Sequence, residues 1–502
     1  MPVRCFRSVT VFVLLAAAAS VCAAQANDLT DDVRRLISGH KFGEAKIAVS
    51  ILDLKTGTAL AAVRAEDALI PASNMKLLSS GAALLTLGPD FVFRTELIIA
   101  GESLILRGGG DPSLADPDIL SRMEPRLTVG AMLDALANAP GKAGMTSARE
   151  LVVDDRVFDR VFVHPSWPVE QLSRGYCAQV SGLNFHANVL HVFPAPGPQG
   201  PGSPVTYTLQ PEAHWLRVDV RAKTVSTGNG SAWLTRDDDA NRFTLRGEVR
   251  HKSLSPIEVT IHDPPLFTGK LLADQLRKAG VSMPHGPDTV RLIGPDESRP
   301  EGTVIAVVTT PIAEILKRCN TDSANLYAEC LLKRTGNAVT GEPGSWTNGA
   351  AVLRMNLTEK LGPAAAASTV VADGSGMSRQ NAVTPLTLTR WLEVIAKEPK
   401  IAPAFRGSLA GVGEGTLRKR FQGVKLQNEL RAKSGYISGV RTLSGYVTNE
   451  ETGRSVAFSV MVNNIKSDDQ HKSALELHEQ VVQAADKWLS RRVAAERPAA
   501  GG

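Results

Sequence analysis

The stretch PASNMKLLSS occupies residues 71–80 and places Ser73 three positions before Lys76, where a helix is predicted to begin. Side chains three positions apart lie on one face of a helix. The Ser73 hydroxyl would then sit at a helix N-terminus, where free N–H groups favour negative charge. A neighbouring amine can act as its base once desolvation lowers the lysine pKa. The alternative is an N-cap serine followed by a surface lysine.

Around this stretch the chain shows two kinds of sequence pattern. Apolar periodicity of two predicts a hairpin before Ser73 and three strands near the C-terminus, with helices between and after them. Short alternating runs, broken by glycine and proline, fill residues 91–297 and contain one predicted helix, at 267–279. The strands at the two ends are predicted at residues 46–54, 58–64, 430–433, 442–448 and 455–463. The helices are predicted at residues 29–37, 312–333, 345–361, 385–397 and 473–491.

This order predicts an α/β (α+β) fold in which the N-terminal hairpin and the C-terminal strands close one sheet flanked by helices. The region between them is a large β-rich insertion, and we expect it to comprise two nested domains. The predicted map is an export signal at 1–26, a discontinuous domain at 27–90 and 298–493, the insertion at 91–297, and a disordered tail at 494–502.

A second motif pairs Ser323 with Asn325. Two residues this close share a helix face poorly, so we expect a turn between helices. There the hydroxyl can pass a proton and the amide can hold a substrate backbone. The alternative is plain capping of the following helix.

A third motif is Lys433-Ser434-Gly435, which opens alternating, strand-like sequence. A lysine and a hydroxyl on an edge strand can hold an anionic peptide end, and the open N–H groups can pair with an extended substrate. The alternative is a strand that ends at a glycine turn. A literal Lys-Thr-Gly at residues 55–57 sits at the predicted hairpin turn, and we interpret it as structural.

The first 26 residues have the pattern of a cleavable export signal. Arg4 and Arg7 form a basic start, residues 11–19 are apolar, and Ala-Gln-Ala at 24–26 fits a small-residue cleavage site. The apolar run is too short for a permanent membrane anchor. We expect cleavage after Ala26, with Ala24 as second choice, and a periplasmic product.

Composition excludes several function classes. Removing Arg4 and Arg7 lowers the formal charge from +5 to about +3, and no cluster of Lys and Arg is interleaved with aromatic residues as in nucleic-acid binders.

Three cysteines remain in the mature chain: Cys177, Cys319 and Cys330. The last two lie in one predicted helix, about 16 Å apart, too far for a disulfide. We expect free, mostly buried thiols and no structural zinc site.

The three motifs, taken in order, resemble the active-site boxes of the penicillin-recognising serine enzymes. The long interval between Ser73 and Ser323 narrows the resemblance to the D-alanyl-D-alanine carboxypeptidase/endopeptidase family, the class C low-molecular-mass penicillin-binding proteins. Further stretches agree along nearly the whole mature chain. They are LRGGGDPSL at 106–114, YCAQVSGLNF at 176–185, NLYAE at 325–329, DGSGMSR at 373–379 and GEGTLR at 413–418. Two positions depart from the usual family pattern: Ser434 replaces threonine, and Ala324 replaces aspartate.

The resemblance implies a penicillin-binding-protein/β-lactamase-like transpeptidase core and a serine-type carboxypeptidase. Ser73 would attack the carbonyl between two D-alanines, with neutral Lys76 as base. The backbone N–H groups of Ser73 and Tyr436 would form the oxyanion hole. Ser323 would pass a proton to the leaving amine, and water would then hydrolyse the acyl-enzyme.

For the substrate, the resemblance implies that Asn325 holds the peptide amide, while Lys433, Ser434 and Gly435 bind the terminal carboxylate. The implied partners are peptidoglycan stem peptides, with β-lactam antibiotics as acylating inhibitors. No cofactor, metal, nucleic acid or stable membrane anchor is expected. Glu170 is a candidate for recognising the side-chain amine of the stem peptide. Two alternatives stay open: a β-lactamase or esterase on the same fold, and a non-catalytic cell-wall-binding protein.

Overall fold

The computed structural model describes residues 29–237, 239–284 and 286–496. The export signal and the last six residues of the predicted tail lie outside this range. The chain divides into two compact units. Unit 1 consists of the described residues within Met1–Gly81, Asn320–Ser323 and Leu353–Gly502, and unit 2 of those within Ala82–Cys319 and Ala324–Val352. The predicted domain map draws its boundaries elsewhere and stays a prediction.

The elements follow one another in this order. The strands are β1 (Lys46–Asp53), β2 (Ala59–Val63), β3 (Val92–Ala100), β4 (Ser103–Arg107), β5 (Glu150–Asp154), β6 (Val189–Ala195), β7 (Thr206–Gln210), β8 (Val218–Val220), β9 (Lys223–Thr224), β10 (Ala232–Arg236), β11 (Phe243–Val249), β12 (Ile257–Thr260), β13 (Val290–Leu292), β14 (Thr303–Pro311), β15 (Glu429–Ile437), β16 (Val440–Thr448) and β17 (Ser455–Asn463). The helices are α1 (residues 29–38), α2 (Met75–Leu87), α3 (Pro117–Leu120), α4 (Val129–Lys142), α5 (Pro264–Lys278), α6 (Ile312–Asn320), α7 (Asn325–Thr340), α8 (Trp346–Leu361), α9 (Pro363–Ala367), α10 (Pro385–Lys397), α11 (Ala402–Ser408) and α12 (Asp468–Glu496).

Unit 1 is built on an antiparallel five-stranded sheet in the order β15-β16-β17-β1-β2. The predicted closure of the N-terminal hairpin onto the C-terminal strands is therefore confirmed. Alternate residues of β1 explain its two faces. Ile47, Val49 and Ile51 join an apolar core with α1 and α12, whereas the Ser50 hydroxyl on the opposite face bonds Thr389 of α10 at 2.8 Å.

The described residues of unit 2 form three further sheets. The largest has the order β13-β5-β4-β3-β14, the second β12-β6-β7, and the third β10-β11-β8 with β9 also paired to β11. Helix α5 packs on β5 and β13 and contacts α4. One apolar core connects these elements and includes Leu104, Val153 and Phe267.

Several sequence predictions differ from the observed elements. The helix predicted at 312–333 is broken into α6 and α7, because Ser323 adopts a left-handed backbone with φ +65°. Residues 303–311, for which no strand was predicted, form strand β14, and α4 is a second long helix inside the β-rich stretch. The last helix extends through Glu496, so the first three residues of the predicted tail are helical.

None of the helices in the described part of the chain has the length and apolar character that a membrane crossing requires. The three described cysteines are free and buried, as predicted. Burial raises the pKa of the Cys177 thiol to about 12 and also raises the pKa of Cys330. Neither thiol therefore carries the thiolate that reacts with electrophiles.

This burial predicts how residues 27–502, the chain without its predicted export signal, behave with a thiol reagent. At pH 8 the folded protein should react with Ellman's reagent at none of Cys177, Cys319 and Cys330, because all three thiols are buried and burial also raises the pKa of Cys177 and of Cys330. In denaturant all three should react. Fast reaction of any cysteine in the folded state would contradict the buried placement.

Candidate active site

Ser73 lies in a short 3₁₀ turn, Ala72–Asn74, that leads directly into α2. We call residues 71–74 the Ser73 turn. Helix α2 begins at Met75, as the sequence predicted, and its first turn carries Lys76 on the same face as Ser73. The sequence and the helix geometry together therefore bring the hydroxyl and the amine onto one surface.

Lys76 is fully buried. Its Nζ donates to the Ser73 Oγ at 3.1 Å and to the carbonyl oxygen of Ser375 at 2.9 Å. The alternative interpretation, a surface lysine after an N-cap serine, is wrong. An amine in this position is within proton-transfer distance of the hydroxyl.

Ser323 lies in the turn between α6 and α7. Two residues before it, which belong to unit 1 like Ser323, bond Ser408 of the same unit: Asn320 donates to the Ser408 Oγ at 2.9 Å, and the Thr321 hydroxyl donates to the Ser408 carbonyl at 2.7 Å. The Ser323 Oγ accepts a hydrogen bond from Lys433 Nζ at 2.9 Å. The second and third motifs of the sequence therefore meet in the structure.

Lys433 lies on the edge strand β15 and is fully buried. Besides Ser323, its Nζ contacts the carbonyl oxygen of Ser434 at 2.7 Å. The next glycine lets the strand approach the Ser73 turn. A Cβ at Gly435 would lie 3.0 Å from the Ser73 nitrogen and from the Pro71 oxygen, and 2.2 Å from the Thr442 hydroxyl. Only glycine fits there without displacement of the backbone.

The edge of β15 presents backbone donors away from β16. The Ala432 N–H donates outward to the Ala410 oxygen at 2.9 Å. The register with β16 runs without a bulge, so alternate residues point the same way. The N–H groups of Ser434 and Tyr436 therefore also face the open edge. The Tyr436 ring is exposed and lies beneath the Arg441 guanidinium at 3.9 Å.

Asn325 is the first residue of α7 and belongs to unit 2. Its side-chain amide donates to the Tyr176 carbonyl at 2.9 Å. Glu170 lies in a 3₁₀ turn of the same unit, Val169–Gln171. The contacts that join the other predicted site residues, Ser73, Lys76, Ser323 and Lys433, all lie within unit 1.

A loop that sequence reasoning assigned no role supports Lys76. Asp373 accepts hydrogen bonds from the backbone of Gly376 at 2.8 Å and of Ser378 at 2.6 Å, which folds residues 373–378 into a tight turn. This turn presents the Ser375 carbonyl to Lys76. A Cβ at Gly376, where φ is +84°, would lie 1.8 Å from the Ala72 oxygen. The two glycines in DGSGMSR were the available signal.

The literal Lys-Thr-Gly at residues 55–57 forms the turn between β1 and β2. Asp53 accepts from the Lys55 backbone at 3.1 Å and from the Thr56 hydroxyl at 2.9 Å. This is an ordinary Asx-type turn, so its interpretation as structural agrees with the geometry. Across the described residues no cluster of three or more His, Cys, Asp or Glu side chains is arranged to hold a metal ion.

The model of the D-Ala-D-Ala carboxypeptidase 3 (S13) family matches residues 29–487. The chain belongs to this family. A D-alanyl-D-alanine carboxypeptidase of Actinomadura sp. is 30% identical and the match covers 89% of this chain and 83% of that protein. The D-alanyl-D-alanine carboxypeptidase DacB of Haemophilus influenzae is 25% identical over 80% of this chain and 82% of its own length.

The fold agrees with the family assignment. The crystal structure of penicillin binding protein 4 from Haemophilus influenzae matches with a TM-score of 0.70 at 22% identity, covering 93% of this chain and 99% of that one. The predicted family, the penicillin-binding-protein-like fold and the enzyme class are therefore confirmed. This carboxypeptidase-family member is a serine-type peptidase, a hydrolase of D-Ala-D-Ala peptides.

The close approach at Gly435 predicts the effect of one added methyl group. In Gly435→Ala the strand must move away from the Ser73 turn, and misplacement near 1 Å lowers rates about 100-fold. The measurement is the acylation rate with a fluorescent penicillin. Gly407→Ala in α11 is the matched control, because a Cβ there meets no atom within 4 Å. Equal rates in the two variants would contradict the steric argument.

Proposed function

We propose that Ser73 is the nucleophile and that neutral Lys76 is its base. The observation that carries this assignment is the 3.1 Å contact between the Lys76 amine and the Ser73 hydroxyl. Because the amine is fully buried, desolvation favours its neutral form. Attack on the carbonyl between two D-alanines then forms an acyl-enzyme on Ser73 and releases the terminal D-alanine.

Ser323 delivers the proton to the leaving amine. Its hydroxyl is held by Lys433 at 2.9 Å, so it can donate on one side while it accepts from the lysine on the other. In the second step the proton moves in the opposite direction, from water to Ser323, and the activated water hydrolyses the acyl-enzyme.

The backbone N–H groups of Ser73 and Tyr436 form the oxyanion hole. Two observations support this pairing: the Tyr436 N–H faces the open edge of β15, and Gly435 brings that strand against the Ser73 nitrogen. Fixed donors of this kind stabilise the tetrahedral intermediate because they need no reorganisation during the reaction.

Substrate binding uses the same edge. Lys433 and Ser434 bind the terminal carboxylate, and Gly435 leaves room for the peptide to lie along β15 as an added strand. Asn325 holds the substrate amide; this role is supported by its match to the family motif. Glu170 is proposed for the side-chain amine of the stem peptide.

The partners are peptidoglycan stem peptides in the periplasm, reached through the export signal at residues 1–26. The cleavage of these peptides is of the carboxypeptidase or the endopeptidase type. β-Lactams acylate Ser73 as substrate mimics; a structure of the Haemophilus influenzae penicillin binding protein 4 complexed with a β-lactam supports this. The catalytic domain is assigned to residues 27–90 and 298–493, with the insertion at 91–297.

The first experiment is covalent labelling with a fluorescent penicillin. The mature protein should gain one adduct on the peptide that contains Ser73, and Ser73→Ala should gain none. Ser467→Ala, an exposed serine before α12, is the control and should label like the unchanged protein. Folded protein that fails to label would favour the non-catalytic alternative. Turnover of many antibiotic molecules per protein would favour a β-lactamase.

Ser434 offers a test of carboxylate binding. Its hydroxyl replaces the threonine usual in the family, so Ser434→Thr should keep activity within about threefold. Ser434→Ala should lower kcat/KM for an acyl-D-Ala-D-Ala peptide by roughly 10- to 100-fold, the typical worth of a hydrogen bond to a charged group. With the C-terminal amide of the same peptide the loss should largely disappear. An equal loss with both peptides would argue against contact with the carboxylate.

A further inference from the structure

Asn74 stands between the nucleophile and the base in the sequence, and its side chain is completely buried in unit 1. A buried amide is costly unless both its ends are hydrogen-bonded. The sequence motif requires only a serine and a lysine, so the asparagine needs its own explanation.

The surroundings fix the orientation of this amide. With Nδ2 towards β15 and Thr442, it donates to the Lys433 oxygen at 3.1 Å and to the Thr442 Oγ1 at 2.6 Å. The Oδ1 then accepts from the Ser444 backbone at 3.0 Å and from its hydroxyl at 2.5 Å. The reversed amide would set oxygen against oxygen at Lys433 and N–H against N–H at Ser444.

This orientation also determines what Thr442 does. Its hydroxyl has one proton. Since it accepts from Asn74, that proton is available for the Pro71 oxygen, 2.8 Å away. The result is a closed relay in which the Ser73 turn is bonded to β15 and β16 through Asn74 and bonded back through Thr442.

The relay connects β15 and the Ser73 turn, and the separation between these two segments matters for the reaction. Gly435 has no side chain that could act as a spacer between β15 and the Ser73 turn, and a Cβ there would overlap Thr442. The hydrogen bonds of Asn74 and Thr442 therefore hold this separation. An oxyanion hole works only when both donors lie within about 2.7–3.1 Å of the oxygen.

We propose that Asn74 and Thr442 are positioning residues that hold the Ser73 turn against β15 at the separation that the oxyanion hole needs. The inference rests on the proposed function, because it concerns the geometry between the Ser73 and Tyr436 N–H groups. Neither side chain touches the reacting atoms. Both act on the acylation step through the backbone that they fix.

The test separates acylation from reversible binding. Acylation by a fluorescent penicillin is followed in stopped flow at rising concentration, which gives the acylation rate constant and the dissociation constant of the reversible complex. Asn74→Ala should lower the rate constant about 100-fold, and Thr442→Val about 10-fold. The dissociation constant should change less than threefold, because the carboxylate contacts of Lys433 and Ser434 remain.

Two further variants keep the result interpretable. Thr442→Ser retains the hydroxyl and should restore most of the acylation rate that valine removes. Asn428→Ala removes another buried amide of unit 1, one that bonds Asp486 at 2.8 Å and Ser490 at 2.9 Å. It should lower the melting temperature and leave the acylation rate constant unchanged.

The outcomes are distinct. Folded Asn74→Ala and Thr442→Val proteins that acylate at the original rate would overturn this inference and leave the proposed function standing. Weaker reversible binding with an unchanged acylation rate constant would also overturn it, since the residues would then serve binding. A protein with the original sequence that fails to label at all would overturn both. If Asn74→Ala does not fold, the comparison of Thr442→Val with Thr442→Ser decides.

Discussion

The separation between β15 and the Ser73 turn is the constraint on which the site depends. Ser73 arrives from the N-terminal part of the chain and Lys433 from the C-terminal part, and the sheet order β15-β16-β17-β1-β2 brings both parts into one layer. Gly435 permits contact at van der Waals distance, and a methyl group in its place would reach the Ser73 nitrogen. A site whose donors must align within a few tenths of an ångström cannot rely on a flexible loop at this position.

The two faces of this sheet have different roles. One face packs apolar side chains against α1 and α12 and supplies the hydrophobic stabilisation of the unit. The other carries small polar residues under the site: Ser50, Thr442, Ser444 and Ser459. Small side chains let the Ser73 turn approach closely, and their hydroxyls satisfy the polar groups that the site buries. Burying the amines of Lys76 and Lys433 costs free energy, which the apolar face offsets.

The predictable part of the site consists of residues whose chemistry is visible in a short window. Ser73 and Lys76 share a helix face whatever the rest of the chain does, and alternation predicted β17 at its observed bounds. Asn74 and the loop at 373–378 were missed for a common reason. Their partners lie hundreds of residues away, so an asparagine or a DGSG tetrapeptide looks like an ordinary cap or turn in isolation.

Local sequence pattern also gave an incomplete account of residues 312–333 and of residues 303–311. The run 312–333 was predicted as one helix, although the Ser323–Asn325 motif favoured a turn; the structure has the turn, with Ser323 in the left-handed region, and this break carries the serine that Lys433 contacts. Strand β14 forms because β3 pairs with eight of its nine residues, which periodicity within 303–311 does not reveal.

The sequence by itself determined the family, the order of the three motifs and the helix that joins Ser73 to Lys76, because these depend on residue type and on spacing along the chain. Only the tertiary structure decided that Lys76 is buried, that Lys433 reaches Ser323, and that Asn74 ties the Ser73 turn to β15. The physical reason is that burial and hydrogen-bond partners arise from segments distant in sequence. Their meeting is set by sheet order and by the close approach at Gly435, not by any local pattern.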